Sequence, residues 1–210
     1  MTKFSVDVTL DSMIDRRAVC LLLGLLALRA AGAPDLSAAA PSIRLNDLDN
    51  KLVDPFQASA SSQAITFVFA SVGCPYSNRY APEVRKLYEA FSAKGVAFWL
   101  VYPNPAESPA QIRAHVKDFG YPIRALRDPR HELAKLTKVT HTPEAAVYDR
   151  RGALVYHGRI DDRYVSIGVE RPAPTRRDLQ DALTSVLAGR PVRAPSEPAV
   201  GCFIADFVSP

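Results

Sequence analysis

The chain has 210 residues, of which 48% are hydrophobic and 23% charged, and its formal net charge at pH 7 is +4. This composition is that of an ordinary globular protein with one full core, and it excludes collagen-like and coiled-coil classes. Because residues of both charge signs are spread along the chain, no nucleic-acid partner is expected.

The first 33 residues are organised like an export signal. Arg16-Arg17 precede an apolar run over residues 18–28, and the small-residue stretch 30–33 follows. This run is too short to cross a bilayer, which needs about 20 apolar residues, so no stable membrane span is predicted. The sequence therefore predicts a secreted or periplasmic protein. An uncleaved N-terminal anchor or a buried helix is the alternative interpretation.

The remainder of the chain has the pattern of one domain between two irregular segments. Residues 34–42 form a predicted linker, residues 43–189 the domain, and residues 190–210 a Pro-rich tail that carries Cys202. In chain order we predict a hairpin of strands 43–45 and 51–53, a strand over 64–70, a helix over 80–94, a strand over 96–102, helices over 109–119 and 131–138, strands over 144–148 and 153–157, and a helix over 175–188.

The predicted strands imply a mixed sheet. The continuous apolar runs 64–70 and 96–102 are typical of strands covered on both faces, and a right-handed crossover between them makes them parallel. The turn 149–152 joins the last two strands as an antiparallel hairpin, with Gly152 at the position expected to need a positive φ. The predicted fold class is α/β, with helices on both faces of the sheet.

Cys74 lies at a Gly-Cys-Pro step between a predicted buried strand and a helix-like stretch. A thiol at a helix N-terminus meets unpaired backbone N–H groups and the positive end of the helix dipole. Both favour the thiolate, which is the reactive form of cysteine. We therefore expect Cys74 in an exposed loop as a nucleophile; a buried core cysteine is the alternative.

Three landmarks accompany each other in the chain. Cys74 stands at a strand-to-helix junction, Pro82 follows eight positions later, and Thr142-Pro143 directly precedes strand 144–148. With the intervening strand and two helices, this pattern resembles the thioredoxin-like superfamily and, within it, the AhpC/TSA-type redoxins. The resemblance covers residues 41–188. It implies a thioredoxin-like fold in which a cis-proline loop, Thr142-Pro143, faces the active cysteine.

Compared with peroxiredoxins, the chain matches at some positions and departs at others. Ser71 and Pro75 fit the residues three before and directly after the peroxidatic cysteine. Phe67, however, occupies the place of an upstream proline, and residues 144–146 offer no arginine where an active-site arginine would be expected. Because peroxide reduction needs donors that stabilise developing charge, the missing arginine counts against peroxidase activity.

A resolving thiol is absent from the usual position, because Ser77 replaces the second cysteine of a Cys-x-x-Cys motif. Cys202 is the candidate replacement. The 14 residues from 188 to 202 reach about 45 Å when extended, which exceeds the radius of gyration of about 15 Å expected for the domain. A structural or intermolecular disulfide and an inert thiol are the alternatives for Cys202.

His141 precedes Thr142-Pro143 and is the histidine expected nearest to Cys74. A Cys/His pair could activate the thiol or bind copper. The copper-delivering relatives of this fold use two cysteines four positions apart, and Asn78 fills the second place here. We therefore predict no metal site and no cofactor, and keep a copper-handling module and a non-catalytic binding domain as alternative functions.

The main functional prediction is a thiol oxidoreductase of the redoxin type. In this mechanism Cys74 attacks a disulfide-bearing protein or a peroxide, and Cys202 or an external thiol resolves the product. The expected partners are that substrate and an external thiol or thioredoxin-like reductant. The candidate catalytic residues are Cys74, Cys202, Ser71, Thr142 and Pro143.

Overall fold

The structure is a computed structural model that describes residues 41–193 and 198–206. The predicted export signal, residues 1–33, and most of the predicted linker lie outside the described residues. No helix in the described ranges has the length and apolar character needed to cross a membrane.

The described residues alternate between strands and helices along most of the chain. The elements are β1 (Leu45–Asp47), β2 (Leu52–Val53), α1 (Pro55–Ala58), β3 (Ala64–Phe69), α2 (Pro75–Phe91), β4 (Val96–Tyr102), α3 (Pro109–Asp118), β5 (Arg124–Arg127), α4 (Glu132–Thr137), β6 (His141–Thr142), β7 (Glu144–Asp149), β8 (Leu154–Gly158), β9 (Tyr164–Ser166), β10 (Val169–Glu170), α5 (Asp178–Leu187) and β11 (Cys202–Phe203), with 3-10 turns at Ser92–Lys94 and Ile204–Asp206.

The central sheet has seven strands in the order β2-β1-β5-β4-β3-β7-β8. Strand β3 is parallel to β4 and antiparallel to β7, and β7 forms an antiparallel hairpin with β8. Gly152, in the turn of that hairpin, has φ 78° and so adopts the positive φ that the sequence predicts. The mixed sheet and the predicted hairpins are confirmed.

Two hydrophobic clusters lie on opposite faces of this sheet, because successive side chains along a strand alternate between faces. Val68 and Leu100 pack with residues of α2, α3 and α5 in one cluster. Phe67 and Trp99, their neighbours in sequence, pack with α1 and α4 in the other. The fold class, a sheet with helices on both faces, is therefore confirmed.

Strand β5 is absent from the sequence prediction. It has only four residues with an arginine at each end, whereas Leu126 between them is fully buried. Strand β5 pairs in parallel with β4 and antiparallel with β1, and it links the N-terminal hairpin to the sheet. Its formation depends on these two partners, which a local pattern does not reveal.

Two further short strand pairs were also not predicted. Strands β9 and β10 form a small hairpin that covers the start of α2, where the Tyr76 and Tyr164 rings meet edge-on at 4.9 Å and Tyr76 Oη accepts a hydrogen bond from Gly168 N at 2.9 Å. Strands β6 and β11 form the second pair, which brings the C-terminal tail to the candidate site.

Candidate active site

Strand β3 delivers Cys74 to the first turn of α2. Cys74 is the residue that caps this helix, with an extended backbone at φ −84° and ψ 113°, and Pro75 begins the helix. Proline suits the first helical position because its φ is preset and the N–H that it lacks would have no partner within the helix. The local sequence therefore places the Cys74 sulfur at the helix N-terminus, as predicted.

The surroundings of Cys74 favour its thiolate on balance. Burial is the largest single influence and raises the pKa of the thiol. Hydrogen bonds from Cys202 and from the Ser77 amide and hydroxyl oppose it, and together they bring the Cys74 pKa below the usual 9.0. Ser77, which replaces the second cysteine of the redox motif, thus supports the thiolate.

The cis-proline loop and the C-terminal tail meet at Cys74. The Thr142-Pro143 peptide bond is cis, and the Cys74 thiol lies 3.0 Å from the Thr142 carbonyl oxygen. Strand β11 pairs antiparallel with β6 so that Cys202 lies opposite Thr142. This register puts Cys202 Sγ 3.0 Å from Cys74 Sγ, where the two sulfurs are hydrogen-bonded and not joined in a disulfide.

The predicted exposure of Cys74 is wrong. The residue is only 1% exposed, although it occupies the predicted position at the helix start. The C-terminal tail accounts for the difference: Cys202 lies against the sulfur, and Ile204 is buried in the core cluster on the α1 and α4 face. Cys202 itself is half-buried.

Gly201 allows the tail to approach the loop this closely. A Cβ atom at this position would lie 2.1 Å from the Thr142 carbonyl oxygen, well inside van der Waals contact. Two positions further on, the Phe203 ring packs on the His141 ring with centroids 4.1 Å apart. Contacts on both sides of Cys202 therefore set the position of its thiol.

The ring of His141, the histidine expected nearest to Cys74, packs on the tail. In addition to the Phe203 contact, His141 Nδ1 forms a hydrogen bond with Thr140 Oγ1 at 2.8 Å. Within residues 41–193 and 198–206, no cluster of three or more His, Cys, Asp or Glu residues is arranged to hold a metal ion.

Ser71 contacts a buried carboxyl group that the sequence analysis did not identify. The Ser71 hydroxyl donates to Glu107 Oε1 at 2.5 Å, and the Val72 N–H donates to the same oxygen at 2.7 Å. Burial raises the pKa of Glu107, and the two hydrogen bonds partly offset this effect. Glu107 therefore holds the loop that precedes Cys74. The sequence does hold one indication of this contact. Glu107 follows β4 as Ser71 follows β3, and the carboxyl ends of parallel neighbouring strands lie at the same edge of a sheet.

Asn78 also contacts this loop. Its amide nitrogen donates to the Val72 carbonyl at 3.3 Å, and its Oδ1 lies 2.8 Å from His115 Nε2. The other ring nitrogen, His115 Nδ1, is 2.8 Å from the Tyr102 hydroxyl. At the position where copper-delivering relatives carry a cysteine, Asn78 thus forms part of a partly buried hydrogen-bond chain.

The contribution of Cys202 to the Cys74 pKa can be measured directly. The third cysteine of the chain, Cys20, lies in the predicted export signal and is replaced by serine so that it does not contribute to the titration. In this Cys20→Ser background, Cys202→Ala removes the hydrogen bond to the thiolate, whereas Cys202→Ser keeps a donor. We expect a higher Cys74 pKa in the alanine variant than in the serine variant, measured by the ultraviolet absorbance of the thiolate across a pH titration. Equal values would show that Cys202 does not stabilise the thiolate.

Solved structures similar to this one share its fold over most of the chain. The hypothetical protein SMc02350 from Sinorhizobium meliloti 1021 is 29% identical, with 79% of this chain and 91% of that chain covered and a TM-score of 0.68. An uncharacterized conserved protein from Geobacillus kaustophilus is 28% identical, with 79% and 88% covered and a TM-score of 0.68. A thiol-disulfide oxidoreductase from Bacteroides fragilis NCTC 9343 has a similar fold at 13% identity, with 56% and 88% covered and a TM-score of 0.50.

The comparison with protein families agrees with the geometry of the site. A comparison with curated proteins finds no significant match. The AhpC/TSA family model matches residues 36–157, more than half of the chain, and this range contains Cys74 and the Thr142-Pro143 loop. The match supports a thiol redox function. With its thioredoxin-like fold and its cysteine facing a cis-proline loop, the chain belongs to the AhpC/TSA family.

Proposed function

We propose that the protein is a thiol-disulfide oxidoreductase in which Cys74 and Cys202 form an internal redox couple. The observation that carries this proposal is the 3.0 Å separation of the two sulfurs, on a tail strand that is seated against the cis-proline loop. Membership of the AhpC/TSA family supports thiol redox chemistry in general. The lowered pKa of Cys74 supports this residue as the attacking thiolate.

The proposed reaction consists of two successive thiol-disulfide exchanges. The Cys74 thiolate attacks one sulfur of a substrate disulfide, that bond breaks, and the released substrate thiolate takes up a proton. The Cys202 thiolate then attacks the Cys74 sulfur and releases the second substrate thiol. The substrate gains two electrons, and the protein is left with a Cys74–Cys202 disulfide. An external thiol or thioredoxin-like reductant returns it to the dithiol.

The site favours disulfide over peroxide as the substrate. The Ser71 hydroxyl, which matches the peroxiredoxin pattern in sequence, donates its hydrogen bond to Glu107. Glu144 lies where an active-site arginine would be expected from that pattern, and it is a hydrogen-bond acceptor. Its Oε2 accepts hydrogen bonds from the backbone N–H groups of Thr140 and His141. Neither group is a free donor for the charge that develops on a breaking O–O bond.

We also propose that the protein works in a secreted or periplasmic location. The organisation of residues 1–33 as an export signal supports this, and an internal cysteine couple suits an oxidising compartment. Mass spectrometry of the mature protein tests it, because cleavage is expected after residue 33 or within residues 36–40. An intact N-terminus in the exporting host would contradict this localisation.

The proposed couple predicts a specific disulfide on mild oxidation. With oxidised glutathione, the full chain should form an intramolecular Cys74–Cys202 bond, because the two sulfurs are already in contact. In the Cys202→Ser variant the reaction should stop at a Cys74–glutathione mixed disulfide. Peptide mapping under non-reducing conditions distinguishes the two products. Oxidation that links only Cys202 to Cys202 of another molecule would contradict the proposal.

A further inference from the structure

Strand β11 lies on the cis-proline loop in the way that an extended peptide ligand would. Cys202 pairs with Thr142 in antiparallel register, and the Ile204 N–H donates to the Thr140 carbonyl at 2.9 Å. In this mode of recognition, main-chain hydrogen bonds hold the added strand and the surroundings of alternate side chains select its sequence. The tail therefore shows which peptide the loop accepts.

The contacts on either side of Cys202 are selective. Before it, Gly201 lies so close to Thr142 that a Cβ would be 2.1 Å from the carbonyl oxygen and 2.8 Å from the carbonyl carbon. These are backbone atoms of the loop itself, so no side-chain rotation can relieve the overlap. After it, Phe203 packs on His141 and Ile204 is buried in the core. The bound pattern is glycine, cysteine, aromatic, aliphatic.

The same segment closes the site. Cys74 is 1% exposed with Cys202 against its sulfur, so an external disulfide reaches it only when the tail has moved away. The tail and an external substrate then compete for one edge of β6. Since the carbonyl of Thr142 stays in place, it leaves no room for a Cβ on the residue before the cysteine, either in the tail or in an external substrate.

We infer that residues 201–204 are a displaceable mimic of the protein substrate. The external substrate is an extended polypeptide segment in which glycine precedes the reactive cysteine and apolar residues follow it. This inference rests on the proposed function, because it names the substrate class of the same Cys74 site. It also assigns Thr142 a role in specificity through its carbonyl oxygen.

Two peptide probes test the inference. Each carries a cysteine joined by a disulfide to thionitrobenzoate, in acetyl-Val-Gly-Cys-Phe-Ile-amide and in acetyl-Val-Ala-Cys-Phe-Ile-amide. The full chain with Cys20→Ser and Cys202→Ser keeps Cys74 as its nucleophile. The Cys74 thiolate attacks the peptide sulfur, the bond to thionitrobenzoate breaks, and the coloured thiolate is released while a Cys74–peptide disulfide forms. Each rate is divided by the rate of that probe with free glutathione.

The glycine probe should react at least tenfold faster than the alanine probe, because only the alanine Cβ overlaps the Thr142 carbonyl. The same glycine-to-alanine change in the protein, Gly201→Ala, should act in the other direction. It weakens the binding of the tail to the loop, so the glycine probe should react severalfold faster than it does with the protein that keeps Gly201. Equal corrected rates for the two probes, or a Gly201→Ala rate that is unchanged, would overturn the inference.

The small disulfide dithiobis-nitrobenzoate serves as reference: if it reacts with Cys74 while the probes show no preference, the thiol chemistry stands and the substrate assignment fails. If even this reagent reacts with Cys74 no faster than with free glutathione, the proposed function fails as well.

Discussion

Replacing Cys74 with serine should lower disulfide turnover by at least about 1,000-fold, the scale on which loss of a covalent nucleophile acts. Cys74 is the sulfur whose pKa is lowered at the start of α2, and a serine hydroxyl is not ionised at neutral pH. In a Cys20→Ser background, Cys202 is then the one remaining cysteine, and a single half-buried thiol on the tail cannot form an internal disulfide. Multiple turnover with an added reductant is the measurement.

A single-turnover count separates the roles of the two cysteines. With dithiobis-nitrobenzoate and in a Cys20→Ser background, the dithiol protein should release two coloured thiolates in succession, one on attack by Cys74 and one on resolution by Cys202. Cys202→Ser should release one and stop at the mixed disulfide. If Cys74→Ser released its one coloured thiolate as fast as the dithiol protein releases its first, Cys74 would not be the nucleophile.

Much of the fold could be predicted because its longest elements have strong local patterns. The buried runs that became β3 and β4 and the helical period of α2 are recognisable without tertiary information. The two-residue strand β11 has no such pattern, and one of its residues, Phe203, is 53% exposed. It is a strand because β6 offers it an edge, and that edge exists only after the domain has folded.

The candidate site was predictable in its parts and less so in its arrangement. The Gly-Cys-Pro step, the cis-proline loop and the tail cysteine are each visible in the chain, and the structure brings Cys74, Thr142 and Cys202 together. Their catalytic roles remain predictions. The burial of Cys74 was missed because it depends on where the tail docks. Glu107 was missed because its contact with Ser71 spans 36 positions and crosses between two loops.

The second large effect is expected on stability, at the buried ion pair that joins α5 to the end of the sheet. Arg159 Nε lies 2.7 Å from Asp178 Oδ2, and the two side chains are only 9% and 5% exposed. Asp178→Ala leaves the guanidinium buried without its counter-charge, which costs about 3–5 kcal/mol. We expect the free energy of unfolding to fall by that amount and the melting temperature by roughly 6–20 °C. Chemical denaturation and calorimetry measure the two quantities.

Two controls distinguish this cost from the loss of any ion pair. The Arg79–Glu170 pair, at 3.4 Å with side chains 64% and 49% exposed, is the solvent-exposed counterpart, and Glu170→Ala should leave the free energy of unfolding nearly unchanged. Replacing both buried partners, as Arg159→Met with Asp178→Leu, should recover much of the lost stability because no unpaired charge is left inside. If Asp178→Ala and Glu170→Ala cost the same, burial of the pair would not determine its contribution. If the double variant were no better than Asp178→Ala, the loss would come from the other contacts of Asp178, such as its 2.8 Å ion pair with Arg176, and not from the unpaired charge of Arg159.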